Sequence, residues 1–509
     1  MKLTRLAMTL ATVSVLTACG GGSSGSDSAV NVDNVRKVLN TNADIAYAAY
    51  SDAVTTATAL KDAIDDLSAA VDTYNTARAQ VSVAAADPNY TAMVTALANA
   101  KTAWLVAREP YGQTEVFRFR LSPIDSTDYE SEDGPEGDIN AWPLGEALID
   151  YVQTSSGDEF DTSQIGVTAN QAGINGNGAI DKAHADSSPR DNIIGNTAVT
   201  IDADLLTNTA TADDERDVIA GYHAIEFLLW GQDLNDNYEV TDGTDRDEAV
   251  KTHDAANLAS GGQRPLSDFY EDTYGARRLT YLQVAAAKLV EDLTAVRDGW
   301  ASGAEYRTAF TTISSQAQAK QKLAEILTGM GTLSEGELAG ERMQIAFASN
   351  SQEHEHSCFS DNTHRDIAMD AKGVANSYYG EYEGYDSNLD GVIDADDTDG
   401  IANAVSGYGV ADLLADAGLT DLASQMVTAL TTTETNYTAI DAKARAGEPF
   451  DVQIMAVNLN ATNPVYKTIK SLNAQSGIIA EVADALDLDA EVVDEDASGC
   501  DTSDPTTEC

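Results

Sequence analysis

Cationic side chains are scarce in this sequence: 30 Lys and Arg stand against 83 Asp and Glu, a formal net charge of −53. A surface so acidic repels phosphate backbones, which excludes nucleic acid as a partner and favours cations. Proline is also rare, with 10 in 509 residues, and strand-like alternation is nearly missing. After the N-terminal segment no stretch reaches the ~18 apolar residues that a membrane-spanning helix needs. The zinc-protease helix signature His-Glu-x-x-His does not occur, and only six histidines are available to any metal site. With four cysteines the chain is no disulfide scaffold.

What is present is alanine-rich and helical in period. Tyr47–Val71, Tyr90–Phe119, Asp213–Trp230, Arg277–Trp300, Tyr306–Gly329, Asp366–Tyr382, Val410–Leu430 and Thr468–Leu486 each support an amphipathic helix. Polar Gly/Asn/Asp-rich stretches at 153–212, 231–264 and 384–408 read as long loops or insertions. The expected fold is all-α, two tandem helical bundles, a first lobe over about 36–235 and a second over about 262–490. An acidic tail, 491–509, follows. Its Cys500 and Cys509 are close enough in sequence to close a small loop, while Cys358 is left as a buried thiol or an alternative partner for the tail.

The N-terminus, MKLTRLAMTLATVSVLTACGGGSSGSDS, has Lys2 and Arg5, then an apolar stretch from Leu6 to Leu16, then Thr17-Ala18-Cys19 and a Gly/Ser tether over 20–35. It resembles a bacterial lipoprotein signal, which implies cleavage before Cys19, lipidation of that residue and export. Gly20 after the cysteine implies the outer membrane by general lipoprotein sorting.

Three clusters carry candidate chemistry. In AGYHAIEFLLWGQD, His223 and Glu226 lie three apart and so share a helix face, either as a buried hydrogen-bonded pair or as metal ligands. In AREPYGQTEVFRF, Arg108, Tyr111 and Glu115 are spaced three and four apart, with Pro110 expected to bend or end that helix. In SQEHEHSCFSDNTH, His354 and His356 face one way only if the segment is extended; His356 is a candidate and His354 reads as a surface residue.

A separate pattern lies in DSNLDGVIDADD. Asp386, Asn388 and Asp390 take positions 1, 3 and 5 of a twelve-residue calcium loop, Gly391 the turn, Val392 the carbonyl position, Asp394 position 9 and Asp397 position 12. Aspartate in place of the usual bidentate glutamate shortens the last arm. The expectation is a calcium clip on an insertion at 384–399.

The runs AREPYGQTEVFRF, GPEGDINAWPLGEALIDYV, GYHAIEFLLWGQD, QRPLSDF, GERMQIAF and SCFSDNTHRDI occur in the order found in the imelysin-like proteins, and the chain resembles their iron-regulated protein A branch over about residues 36–490. Gly221, His223 and Glu226 meet the Gly-x-His-x-x-Glu signature. The resemblance implies a pair of four-helix bundles with a cleft between them. It implies that His223 and Glu226 line this cleft with Glu115 beside them as metal ligands. Arg108 and Tyr111 are implied as companions, and Ser357, Asp361, Asn362 and His364 as the groups of the second lobe. The family is classed with the M75 peptidases. A mixed imidazole and carboxylate set suits iron, with zinc as the other choice, and His-x-x-Glu alone is short of a zinc peptidase's three ligands and separate base. The expected function is therefore capture of iron, or of an iron-bearing ligand, by an exported lipoprotein. A metallopeptidase using His223 and Glu226 is the first alternative, and a non-catalytic surface interaction module the second.

Overall fold

The computed structural model describes residues 30–80, 87–151, 173–174, 180–181, 192–207, 218–233, 261–262, 264–350, 354–455, 460–490, 499–507 and 509. Cys19 and the acidic insert after Asp233 lie outside them. Eight long helices dominate: α1 (Val32–Gln80), α2 (Pro88–Gly112), α3 (Gly221–Trp230), α4 (Gly275–Gly299), α5 (Gln316–Thr332), α6 (Thr363–Tyr379), α7 (Thr420–Arg445) and α8 (Pro464–Ala485). Among the described residues the strands are two-residue pairs, β1 (Gly173–Ile174) with β2 (Ile180–Asp181) and β3 (Glu381–Tyr382) with β4 (Val405–Ser406), both antiparallel. The all-α class holds. No helix among the described residues is long and apolar enough to cross a membrane.

Local chemistry explains the helix ends. Asp87 caps α2 by accepting the Asn89 amide, and Pro88 occupies the first turn, where its missing N–H costs nothing. Ser315 and Asn463 cap α5 and α8 in the same way. Some expected helices are shorter or split. Tyr306–Gly329 divides into Glu305–Thr311 and α5, with the Ser315 cap starting the second piece. Val410–Leu430 divides at Gly418, whose φ of +75° is left-handed backbone that glycine adopts without strain.

Helix α1 packs along α2 and α4, and α3 rests on α2 and α4, so a helix beyond residue 262 completes the N-terminal group. In the other group α7 packs on α8 and α6, and α6 reaches back onto α2. A π-helix, Leu333–Gln344, follows α5 directly and packs on α8. Wide turns of this kind are rare outside functional regions, and this one brings Arg342 into the interior, where it is 5% exposed. One large apolar core runs through α1–α5 and on to α8, and a smaller one joins the π-helix, α7 and α8 around Phe347, Ile440 and Leu472.

The tail closes as expected, through a Cys500–Cys509 disulfide. Its loop docks on the π-helix, where Gln344 Nε2 donates to the carbonyls of Asp501 and Thr507 at 3.1 and 3.0 Å. Cys358 is buried outside that disulfide.

Candidate functional site: a buried histidine pair

Gly221 opens α3 with φ +80°, and a Cβ there would stand 2.3 Å from the Ile139 carbonyl oxygen. The signature glycine is thus a packing requirement: it lets the first turn of α3 press against that carbonyl and fixes where His223 emerges. His223 and Glu226 are 1% and 0% exposed. Glu226 Oε2 lies 2.9 Å from His223 Nδ1, and Oε1 accepts the Ser360 amide and hydroxyl at 2.9 and 2.7 Å. Both carboxylate oxygens are therefore engaged. Glu226 does not stand beside His223 as a second ligand; it backs the imidazole from behind.

The partner facing His223 is His356, 2% exposed, with the two Nε2 atoms 3.3 Å apart. His356 sits in the non-helical stretch before α6, so its neighbour His354 takes another direction, next to the Ser349 hydroxyl at 3.1 Å. Trp142 lies beside His356 in an edge-to-face contact, ring centroids 6.1 Å apart. Behind His356, Asp366 Oδ2 lies 3.1 Å from Nδ1 and also accepts the Ser357 hydroxyl. Asp366 Oδ1 takes Arg108 Nε at 3.0 Å. The Arg108 guanidinium is cradled by the rings of Trp104, Tyr111 and Tyr222 and donates to Asn140 Oδ1 at 2.5 Å.

The charges follow from this framework. Burial alone would push the Asp366 carboxyl up, but Arg108, His356 and Ser357 outweigh it and hold it well below the usual range, so it is an anion. His356 then carries its proton on Nδ1 and presents a lone pair at Nε2. Burial lowers both imidazoles, and the nearby Arg108 and Arg342 add to it against the opposing pull of Asp366, so neither is cationic at neutral pH. Burial raises Glu226 to about 8. The hydrogen-bond network this allows runs from protonated Glu226 to His223 Nδ1, from His223 Nε2–H to His356 Nε2, and from His356 Nδ1–H to Asp366.

Other expected residues go elsewhere. α2 ends at Gly112, just past Pro110, and Glu115 falls in a separate 3₁₀ turn, Glu115–Phe117. A Cβ at residue 112 would lie 2.8 Å from Met369 Cβ, so the glycine is what lets α2 and α6 close up there. Arg108 and Glu115 thus do not share a helix face. Glu115 Oε2 accepts Arg342 Nη2 at 2.8 Å and Arg118 Nη1 at 3.0 Å, and Arg342 Nη1 pairs with Asp370 at 2.5 Å. Burial would raise Glu115, but Arg342 and Arg118 overcome it and hold it low, while burial raises Asp370. Glu115 is a counter-ion in this arginine centre, not a companion of His223. Tyr111 packs under Arg108 and against Tyr222.

Of the second-lobe candidates, Ser357 reaches the site through Asp366. His364 faces α7 instead, its Nδ1 2.7 Å from Asp441. Asp361 converges with Asp233 and Asp451, all three buried, with one oxygen of each within 4.8 Å of the others. Asn362 is buried at the start of α6. His356, Asp366, Ser360 and Trp142 were under-weighted or missed by sequence reasoning; the one signal for His356 was the extended His-x-His alternation.

In the loop at 386–397, Asp386 accepts the Asp390 and Gly391 amides at 3.2 and 2.6 Å, Asn388 Oδ1 accepts the Asp390 amide, and Asp390 Oδ1 accepts the Val392 amide. Asp397 accepts from Ser387, Asn388 and Asp394 amides, and Asp394 from Asp396. Arg445 holds the Leu389 carbonyl from outside at 2.8 Å, and Arg365 Nη2 is 3.6 Å from Asp386. Val392 is 57% exposed.

Fold and site define an all-helical protein with two buried, carboxylate-backed imidazoles facing one another where two helix groups meet. A family model described as imelysin, peptidase M75, matches residues 46–479, and the chain belongs to that family. Its fold is similar to a crystal structure from Parabacteroides distasonis ATCC 8503 of a protein assigned as an iron-regulated protein A precursor, at TM-score 0.51 and 17% identity, covering 91% of this chain and 97% of that one. No curated protein matches the sequence.

Proposed function

We propose that this protein is a metal-binding imelysin of the cell envelope that takes iron, free or within an iron-bearing ligand, between His223 Nε2 and His356 Nε2. The carrying observation is the 3.3 Å between those nitrogens. Two nitrogens each about 2.0–2.1 Å from one ion keep a similar separation. Both imidazoles have a carboxyl group at Nδ1; passage of the Glu226 proton to His223 Nδ1 as the Nε2 proton leaves would free both Nε2 lone pairs for the ion and set each Nδ1–H on a carboxylate, the arrangement that fixes tautomer and ring direction in metal-ligating histidines. Two neutral imidazoles suit iron or zinc and leave further positions for solvent or for groups carried with the metal.

Binding is favoured over peptide hydrolysis because the nearby carboxylates are occupied. Glu226 is engaged by His223 and Ser360, and Asp366 by Arg108, His356 and Ser357, so neither is placed as a base for an attacking water. Lipidation at Cys19 would hold the protein at the outer membrane, and the Parabacteroides neighbour's description as a precursor is in keeping with export. The test is elemental analysis of the purified protein after loading with ferrous iron and, separately, zinc, beside His223→Ala and His356→Ala variants with unchanged circular dichroism. One bound ion lost in both variants is expected. Failure of the intact protein to bind either metal would overturn the reading.

Calcium is proposed at Asp386, Asn388, Asp390, Val392, Asp394 and Asp397, because the side chains at positions 1, 3 and 5 already turn the loop backbone through their amide contacts. A calcium-dependent rise in Tm that Asp390→Ala removes is expected; a Tm indifferent to calcium would refute it.

A further inference from the structure

Between α6 and α7, on a face of α6 other than the one bearing Asp366, lies a cavity of about 190 Å³ whose inner wall includes Gln475 of α8. Thr433 and Gln475 line it at 2% and 0% exposure, and each keeps a polar atom without a hydrogen-bond partner, Thr433 Oγ1 and Gln475 Oε1. Thr433 Oγ1 is buried without even the back-bond to its own helix that three neighbouring threonines make. Thr428, Thr432 and Thr435 each donate to the carbonyl four residues earlier. The glutamine's Nε2 is fixed on Ser334 Oγ at 3.0 Å, which leaves the carbonyl end as the group lacking a partner. Buried acceptors left in this state are rare and costly.

The mouth is acidic and aromatic, with Glu381, Glu383 and Glu434 against Lys372, beside the rings of Tyr379 and Tyr437. Lys372 is paired with Glu383 at 2.8 Å. Burial, then Glu434 and Glu381, raise the Tyr379 phenol, which places both carboxylates near that ring. Such a mouth repels anions and suits a cation that also contacts aromatic faces. The volume is below the ~300–1,000 Å³ of drug-sized sites, which excludes a haem or a folded peptide.

We propose that this cavity binds a small organic ammonium compound, its charged head at Glu434 and the tyrosine rings and its body reaching Thr433 and Gln475. The site is independent of the histidine pair. Calorimetric titration of the full chain with 1,4-diaminobutane at low salt tests it, with calcium chloride as the competing probe. Saturable one-to-one binding is expected, weakened about 10-fold by Glu434→Gln and several-fold by Thr433→Val, and retained in His356→Ala. Thr433→Val should keep or raise Tm, because it removes an unsatisfied hydroxyl at nearly constant shape, so weaker binding could not be blamed on unfolding. The proposal is overturned if the intact chain shows no saturable binding of the diamine, if both cavity variants bind like the parent, or if calcium displaces the diamine in a Glu434-dependent way, which would make this a metal site.

Discussion

The histidine pair and the 386–397 loop are both built to present donor atoms, yet they are assembled in opposite ways. The loop draws every candidate ligand from twelve consecutive residues, and its shape comes from side chains accepting amides of the loop itself, Asp386, Asn388 and Asp390 from two to five positions on and Asp397 from three to ten positions back. The pair joins residues 133 apart, and each imidazole depends on a carboxylate that depends in turn on a third residue. A local site survives damage to distant packing. An assembled one fails when any supporting layer shifts, since sub-ångström placement of the donors is what the layers supply.

Substitutions in the supporting layers should separate the two sites. Asp366→Asn leaves the Arg108 guanidinium, 2% exposed, without its counter-ion, and should cost about 3–5 kcal/mol by denaturant unfolding while sparing any calcium response of the loop. Gly221→Ala forces a side chain into left-handed backbone against the Ile139 carbonyl. About 1–3 kcal/mol of strain is expected from the dihedral alone, with metal uptake impaired and the loop again unaffected; a variant as stable as the parent would show that α3 is not pinned there. Glu226→Gln keeps the shape behind His223 but alters the hydrogen bond, and iron or zinc affinity should fall about 10–100-fold without loss of helicity. If affinity vanished entirely, Glu226 would be a ligand after all.

The smallest effect concerns the loop's outer tether. Burial would raise Asp441, but His364, Arg365 and Arg445 outweigh it and hold its carboxyl below the ordinary range. A depressed carboxylate contributes stability that is complete above its unfolded pKa of about 3.9 and declines as pH falls through that value toward the folded one. Acid should therefore loosen Asp441 from Arg445, which clamps Leu389, and unfolding curves at pH 5 and pH 3 should differ less in Asp441→Asn than in the parent.

Helical period and caps made the all-α class legible, because α1, α2 and α8 carry their signals within a few residues. Breaks were harder to see. The four-residue gap before α5 and the turn at Gly418 interrupt sequences whose apolar period runs straight through them. For α2, Pro110 announced a bend, but where Glu115 would point afterwards depended on Arg342, supplied by a π-helix 227 residues away.

By itself, then, the sequence determined the family, the helical architecture, the terminal disulfide and the spacing of the loop's carboxylates, since each of these is written in neighbouring residues or in an ordered set of motifs. Only the tertiary structure decided which histidine meets His223, that Glu226 stands behind the imidazole and not beside it, and that Glu115 belongs to arginines. The physical reason is that three-residue spacing puts two side chains on one helix face but leaves open what they face, and that choice is made by packing across the chain.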